Sequence, residues 1–144
     1  MNPTMPIMLA KAMFVLLVPV IVMGCAEPVS PVGQQSTVVA DEAAFSQLVL
    51  SYSGPAVVKF STTTCGPCRQ LAPLFEELAA KHADKARFVS LDTNKVPAMA
   101  DQYRVWRIPT VIAFENGKEI RRLTGLHSKR QYEELIQAVG RKGQ

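Results

Sequence analysis

The chain has 144 residues, the length of one ordinary domain with a short extension. Hydrophobic residues make up 48% of it and charged residues 19%, which suits a globular core together with one strongly apolar segment. The formal net charge is +4, but the basic residues are scattered, and no basic run is long enough for a nucleic-acid-binding arm. We therefore expect no nucleic-acid partner, and we expect the chain to be a monomer.

The first element is an apolar segment, "MLAKAMFVLLVPVIVMGC", in which Lys11 is the only charge before Glu27. It is long for the core of a signal peptide and short for a membrane span, which needs about twenty residues. Its end, "VMGC", resembles the lipobox of bacterial lipoproteins, where a small residue precedes a cysteine. The resemblance implies a signal peptide over 1–24 and a lipid-modified Cys25. An uncleaved membrane anchor and an ordinary cleaved signal remain alternatives.

The stretch after Cys25 reads "AEPVSPVGQQS" and is rich in Pro, Gly, Gln and Ser. This composition is typical of a flexible linker, which we assign to 25–36 together with the lipid-modified cysteine. The folded domain is then expected over 37–144. Such an arrangement predicts a protein that faces the periplasm or the cell exterior and is tethered to the membrane by its lipid.

The remaining elements alternate between the two hydrophobic periodicities. Short apolar runs predict strands, and i, i+3, i+4 spacing predicts helices. We expect a strand at 37–39, a helix capped by Asp41, a buried strand at 56–60, a helix over 69–82 that Pro73 kinks, a strand at 86–92, a helix over 95–103, a hairpin over 110–123 turning at Asn116-Gly117, and a helix over 128–140. The order βαβαβαββα indicates an α/β fold with a mixed sheet and helices on both faces.

A C-x-x-C pair, Cys65 and Cys68, lies between the buried strand and the following helix. A zinc site would need four ligands, and no second cysteine pair exists. His82 and His127 are isolated in the sequence, and we interpret both as ordinary surface histidines, so we expect no metal. A structural disulfide is a second possibility, although closing so short a loop gains little entropy. A redox-active dithiol is the third and the favoured interpretation.

The favoured interpretation follows from the position of the pair at the start of a helix. The unsatisfied amides and the macrodipole there stabilise a thiolate at Cys65, which would attack another disulfide. Cys68, one turn later, would resolve the mixed disulfide. Gly66 and Pro67 keep the turn tight, and Pro67 has no amide proton to offer the sulfur.

From about Thr37 to Val139 the chain resembles the thioredoxin family. The matching segments are "AVVKF", "CGPC", "RQLAPLFEELA", "RIPT", "FENGKEI" and "TGLHSK". The resemblance implies the thioredoxin fold and thiol–disulfide exchange with protein substrates, with no cofactor besides the Cys65–Cys68 disulfide. It also implies that Pro109 is a cis-proline facing the disulfide, and that Ile108 and Gly125 belong to the substrate groove.

Three positions depart from the family pattern. The family usually has a tryptophan before the first cysteine, where this chain has Thr64. Its buried aspartate falls on Lys59, and the lysine partner of that aspartate falls near Phe88. The departures leave the reaction type unchanged but open the question of how Cys68 loses its proton. Trp106, which we place in the groove with Thr64, is either the replacement aromatic or a surface tryptophan.

Together these features predict a membrane-tethered protein-disulfide reductase that takes its electrons from a donor in the membrane. A disulfide oxidant or isomerase is the alternative within the same chemistry. A non-catalytic binding module that uses the groove beside Ile108 and Gly125 is the alternative from another class.

Overall fold

The computed structural model describes residues 35–140, and all elements expected in that range are present. The expected signal peptide (1–24), Cys25 and the linker up to residue 34 lie outside the described residues. The elements in chain order are β1 Thr37–Val39, α1 Glu42–Phe45 continued by a π-helical segment Ser46–Leu50, β2 Pro55–Ser61, α2 Gly66–Lys81, β3 Arg87–Asp92, α3 Pro97–Gln102, β4 Thr110–Glu115, β5 Lys118–Thr124 and α4 Lys129–Gln137.

The five strands form one mixed sheet with the order β1-β3-β2-β4-β5. Strands β1, β3 and β2 run parallel, and β4 pairs antiparallel with both β2 and β5. Strand β2 lies at the centre, and its five inner residues are buried, as expected for a strand covered on both faces. The segment with Cys65 therefore follows the central strand of the sheet.

Two hydrophobic clusters lie on opposite faces of this sheet. One packs Phe45 of α1 and Met99 of α3 against the sheet, and the other packs Phe75 of α2 and Tyr132 of α4 against the other side. The predicted α/β class, with helices on both faces, is confirmed.

Local signals fix the ends of several elements. The carboxylate of Asp41 accepts a hydrogen bond from the Ala44 N–H at 2.8 Å and so caps α1. Ser128 caps α4 in a reciprocal capping box with Gln131. Within residues 35–140 no helix has the length and apolar character needed to cross a membrane.

The prediction that His82 is an ordinary surface histidine is wrong, because this side chain is only 5% exposed. It follows the last residue of α2, where its carbonyl accepts hydrogen bonds from the N–H groups of Lys85 and Ala86. The chain thus turns back over His82 on its way to β3, and within residues 35–140 neither ring nitrogen has a hydrogen-bond partner. His127 is half-buried, with Nε2 3.0 Å from the Thr124 carbonyl oxygen.

Candidate active site

The cysteine pair occupies the first turn of α2, directly after the central strand. Cys65 is the N-cap residue, with an extended backbone (φ −82°, ψ 121°), and its Sγ accepts a hydrogen bond from the Cys68 N–H at 3.3 Å. The two cysteines form a disulfide with their Cα atoms 5.2 Å apart. Pro67 lies in the first turn, where a helix does not require its missing N–H.

The two sulfurs differ in their access to solvent. Cys65 is half-buried, whereas Cys68 is 3% exposed and lies on the buried side of α2. A bulky substrate can therefore approach Cys65 and not Cys68. The helix N-terminus also favours a thiolate at Cys65, because its free N–H groups point toward the cap residue.

The segment before β4 lies against the disulfide. The Ile108–Pro109 peptide bond is cis, and the Ile108 carbonyl oxygen is 4.0 Å from the Sγ of Cys65. Pro109 is buried and Ile108 is half-buried. The Thr110 hydroxyl donates to the Arg107 carbonyl at 2.6 Å and so fastens this loop to the start of β4. Ile108 and Pro109 thus line the approach to Cys65.

The loop after β5 is fastened to the same segment. Gly125 has a φ of +90°, a conformation that favours glycine, and its N–H donates to the Pro109 carbonyl at 2.7 Å. The Tyr132 hydroxyl donates to the Gly125 carbonyl at 3.3 Å and accepts from the His127 N–H at 3.2 Å. Helix α4 therefore holds the Gly125 loop beside Pro109.

We call Thr64 and Trp106, two exposed residues on the segments that carry Cys65 and Ile108, the exposed rim. Thr64 is exposed, and the Arg69 guanidinium donates to the carbonyls of Thr63 and Thr64 at 3.5 and 3.4 Å. Trp106, two residues before Ile108, is 75% exposed. An indole this exposed contributes little to the core, so its apolar area is free for contact with other molecules.

Lys59 is buried on the face of β2 that packs against α2. Only 6% of the residue is exposed, and Nζ lies 4.7 Å from the centre of the Phe75 ring. Burial lowers the pKa of Lys59, and the negative charge of Glu76 opposes this effect. Within residues 35–140 Lys59 makes no salt bridge. Phe88 packs edge-on against Phe75, so the position expected for a lysine partner holds a ring.

A polar cluster beside Lys59 was not predicted from the sequence. The Ser36 N–H and hydroxyl donate to the Glu76 carboxylate at 2.8 and 2.6 Å, and the Ser36 and Ser90 hydroxyls are 2.8 Å apart. Ser90 is also the β3 residue in register with Lys59. The composition around Ser36 predicts a linker residue, whereas in the folded chain Ser36 binds Glu76 of α2.

The described residues do not form a metal site. Among residues 35–140 no group of three or more His, Cys, Asp or Glu side chains is arranged to hold a metal ion. The chemistry available at the site is that of the two sulfurs.

Comparison with known proteins gives matches to thioredoxins. The family model described as Thioredoxin matches residues 36–138. Thioredoxins from the Mu50 and MW2 strains of Staphylococcus aureus are each 39% identical over 84 residues, which is 58% of this chain and 81% of theirs.

Solved structures show the same likeness. A reduced thioredoxin pre-protein from Schistosoma mansoni is 31% identical, with a TM-score of 0.66 covering 72% of this chain and 97% of that one. The Malassezia sympodialis thioredoxin is 25% identical, with a TM-score of 0.67 and coverage of 76% and 96%. A mutant thioredoxin from Halobacterium salinarum, 24% identical with a TM-score of 0.69 and coverage of 76% and 95%, matches in fold.

Thioredoxins work through their own dithiol and disulfide without a cofactor, and the close cysteine pair supports thiol–disulfide oxidoreductase chemistry here. The family model spans well over half of the chain, and this chain covers more than two thirds of each Staphylococcus aureus relative. This chain therefore belongs to the thioredoxin family.

Proposed function

We propose that this protein reduces protein disulfides outside the cytoplasm through a cycle of its Cys65–Cys68 dithiol. The observation that carries the proposal is the asymmetry of the pair, with a half-buried Cys65 at the helix N-terminus and a buried Cys68 behind it. This asymmetry suits an attacking thiolate and an internal resolving thiol.

The proposed cycle balances as two successive exchanges. The Cys65 thiolate attacks one sulfur of the substrate disulfide, and the other substrate sulfur leaves as a thiolate that takes a proton. Cys68 then loses its proton and attacks the Cys65 sulfur, which breaks the mixed disulfide and releases the second substrate thiol. Two electrons pass to the substrate, and a dithiol reductant of the membrane must return them to the Cys65–Cys68 disulfide.

Protein substrates fit the surroundings of Cys65. Trp106 offers exposed apolar area on the same loop as Ile108, and the Gly125 loop is hydrogen-bonded to Pro109. An extended peptide bound beside Trp106 and the Gly125 loop would bring its disulfide to the Sγ of Cys65, as when a peptide strand pairs with a protein backbone.

The cycle can be tested by trapping substrates. Cys68→Ser should accumulate mixed disulfides with partner proteins, because nothing resolves the bond to Cys65. Cys65→Ser is the matched control and should trap almost none. Equal trapping by both variants would contradict the assigned roles.

The direction of the reaction needs a separate measurement. We expect the intact chain to catalyse insulin reduction with dithiothreitol as electron source, and its reduction potential to lie nearer to the −270 mV or so of thioredoxin than to the −120 mV or so of a strong oxidant. A potential near the oxidising end would favour the oxidant or isomerase alternative. Absence of both insulin reduction and substrate trapping would favour a non-catalytic binding module.

The membrane tether is a further part of the proposal and rests on the sequence "VMGC". Cys25 would carry the lipid, residues 1–24 would be removed, and the linker would hold the domain of 37–144 away from the membrane. Cys25→Ser should abolish lipid labelling and leave an unprocessed precursor, as measured by mass spectrometry of the membrane fraction. An unmodified Cys25 in the wild-type protein would refute the tether.

A further inference from the structure

The reductase cycle leaves one buried charged group without a role. Lys59 is the only Lys, Arg, Asp or Glu among residues 35–140 that is buried. A buried ammonium is costly unless something nearby benefits from its charge or neutralises it. The charge of Lys59 is therefore expected to act on a nearby group.

Two features of the surroundings of Lys59 oppose the loss of charge that burial favours. Its Nζ lies above the face of the Phe75 ring, which attracts a positive charge, and Glu76 is the next residue of α2. Its sheet neighbours are uncharged, being Ser90 on β3 and Val111 on β4. Glu76 is thus the titratable group that acts on Lys59, and its carboxylate oxygens already accept two hydrogen bonds from Ser36.

The same face of α2 carries the resolving cysteine. Its buried residues lie along one stripe toward the sheet: Cys68, Leu71, Phe75, Leu78 and Ala79. Cys68 and Phe75 are seven residues apart, which is two turns or about 10.5 Å along the helix. This rise of about 10 Å is the separation over which we estimate the effect of an ammonium at the Phe75 ring on Cys68.

We propose that the ammonium of Lys59 stabilises the thiolate of Cys68 and so speeds the resolving step, with Glu76 as its counter-ion. In this role Lys59 acts through its charge alone and is not a catalytic residue, since it touches neither substrate nor the reacting sulfurs. Loss of the Cys68 proton leaves a thiolate that attacks the Cys65 sulfur; Lys59 changes only how readily that proton leaves. At about 10 Å and an effective dielectric constant of about 20, the effect on the pKa of Cys68 is about one unit.

The ionisation can be measured directly. The full-length chain in detergent micelles, with Cys25→Ser and Cys65→Ser, contains Cys68 as its only thiol. Its 13Cβ signal would be followed against pH in cysteine-labelled protein. We expect Lys59→Met to raise the pKa of Cys68 by about one unit. Lys59→Arg keeps a charge that cannot be lost and should leave the pKa near that of the parent.

Lys118→Met is the matched control. It removes the same charge at an exposed position of the hairpin. Lys118 pairs with Glu115, and Glu115 pairs with the first residue of β2, whereas the cysteines follow the last residue of β2. The control charge is therefore at the end of the sheet away from the cysteines. Lys118→Met should leave the pKa of Cys68 unchanged. An unchanged pKa in Lys59→Met, or a pKa in Lys59→Arg that moves as far as in Lys59→Met, would overturn the proposal.

The kinetic consequence rests on the proposed reductase cycle and is tested separately. With both active-site cysteines present, Lys59→Met should resolve a peptide mixed disulfide about threefold more slowly at pH 7 in stopped flow. The thiolate becomes about tenfold scarcer, but each thiolate is more nucleophilic. The pH–rate profile should move to higher pH by the same shift as the pKa of Cys68. An unmoved profile would overturn this role.

A reciprocal measurement covers the case in which Lys59→Met does not fold. If Lys59 stabilises the Cys68 thiolate, that thiolate must raise the pKa of Lys59 by the same amount. Replacing Cys68 by serine in the Cys65→Ser chain should therefore lower the pKa of Lys59, as measured from its 15Nζ signal. No change would overturn the proposal. Absence of reductase activity in the wild-type chain would refute the proposed cycle and leave both pKa measurements valid.

Discussion

Replacing Lys59 by methionine should make the protein more stable. Lys59 is 6% exposed, makes no salt bridge within residues 35–140, and has its Nζ 4.7 Å from the centre of the Phe75 ring. Methionine has a similar volume and no charge, so Lys59→Met removes the desolvation cost and keeps the packing against α2. The lost cation–π contact offsets the gain by about 2 kcal/mol, the size expected for a desolvated pair, and we expect a net gain of about 1–2 kcal/mol.

The gain should depend on pH in a defined way. Burial lowers the pKa of Lys59 below its ordinary value of 10.5. In the window between the folded pKa and 10.5 the unfolded chain binds more protons than the folded chain, so wild-type stability rises with pH. Lys59→Met has no such titration. The difference between the two proteins should be largest below the folded pKa and should shrink as the pH approaches 10.5.

Urea unfolding of the oxidised proteins at a series of pH values measures both effects. Lys118→Met is again the control, because an exposed substitution of this kind changes stability by no more than about 0.5 kcal/mol. A Lys59→Met protein less stable than wild type at pH 7 would show that Lys59 stabilises the fold. A constant difference across the pH series would show that the gain comes from packing and not from charge.

Two further predictions concern other sites. Burial, together with the positive charges of Lys85 and Lys81, holds the pKa of His82 below 6.5. The unfolded chain therefore binds a proton that the folded chain does not, and the free energy of unfolding should fall as the pH drops below about 6.5. In urea unfolding, His82→Phe should lose less stability than the wild type between pH 7.5 and 5.5. Trp106→Ala should lower kcat/KM for insulin several-fold but leave the reduction of a small aromatic disulfide unchanged, because a small substrate does not extend to the rim. The control is Ile120→Ala, at a half-exposed position on β5. Equal losses of activity on both substrates would contradict a role of Trp106 in substrate binding.

Periodicity and turn chemistry were sufficient to predict the elements of the domain. The helix after Asp41, the hairpin at Asn116-Gly117 and the helix after Ser128 depend on interactions between residues close in sequence. Asn116 and Gly117 both have positive φ values, 51° and 75°, as the predicted type I′ turn requires. The position of Cys65 at the start of α2 followed from the same local reasoning.

The failures arise where distant segments meet. His82 is buried because the chain after α2 turns back over it, and no periodicity in the helix reports on that turn. Ser36 binds Glu76 and Ser90, which lie 40 and 54 residues away. The direction of the Lys59 side chain depends on the same packing, because a lysine stem on a buried strand can also reach water.

The departures at Lys59 and Thr64 act on different parts of one reaction. The sulfur chemistry depends on the turn that brings Cys65 and Cys68 together at the helix N-terminus, and that turn is present. In the proposed cycle, a cation under α2 changes how easily the resolving proton leaves, and the rim of Thr64 and Trp106 is the part proposed to change which proteins fit. The first effect should appear in pH profiles with any substrate, and the second only with large ones. Measuring Lys59→Met and Trp106→Ala on the same pair of substrates therefore separates proton chemistry from recognition.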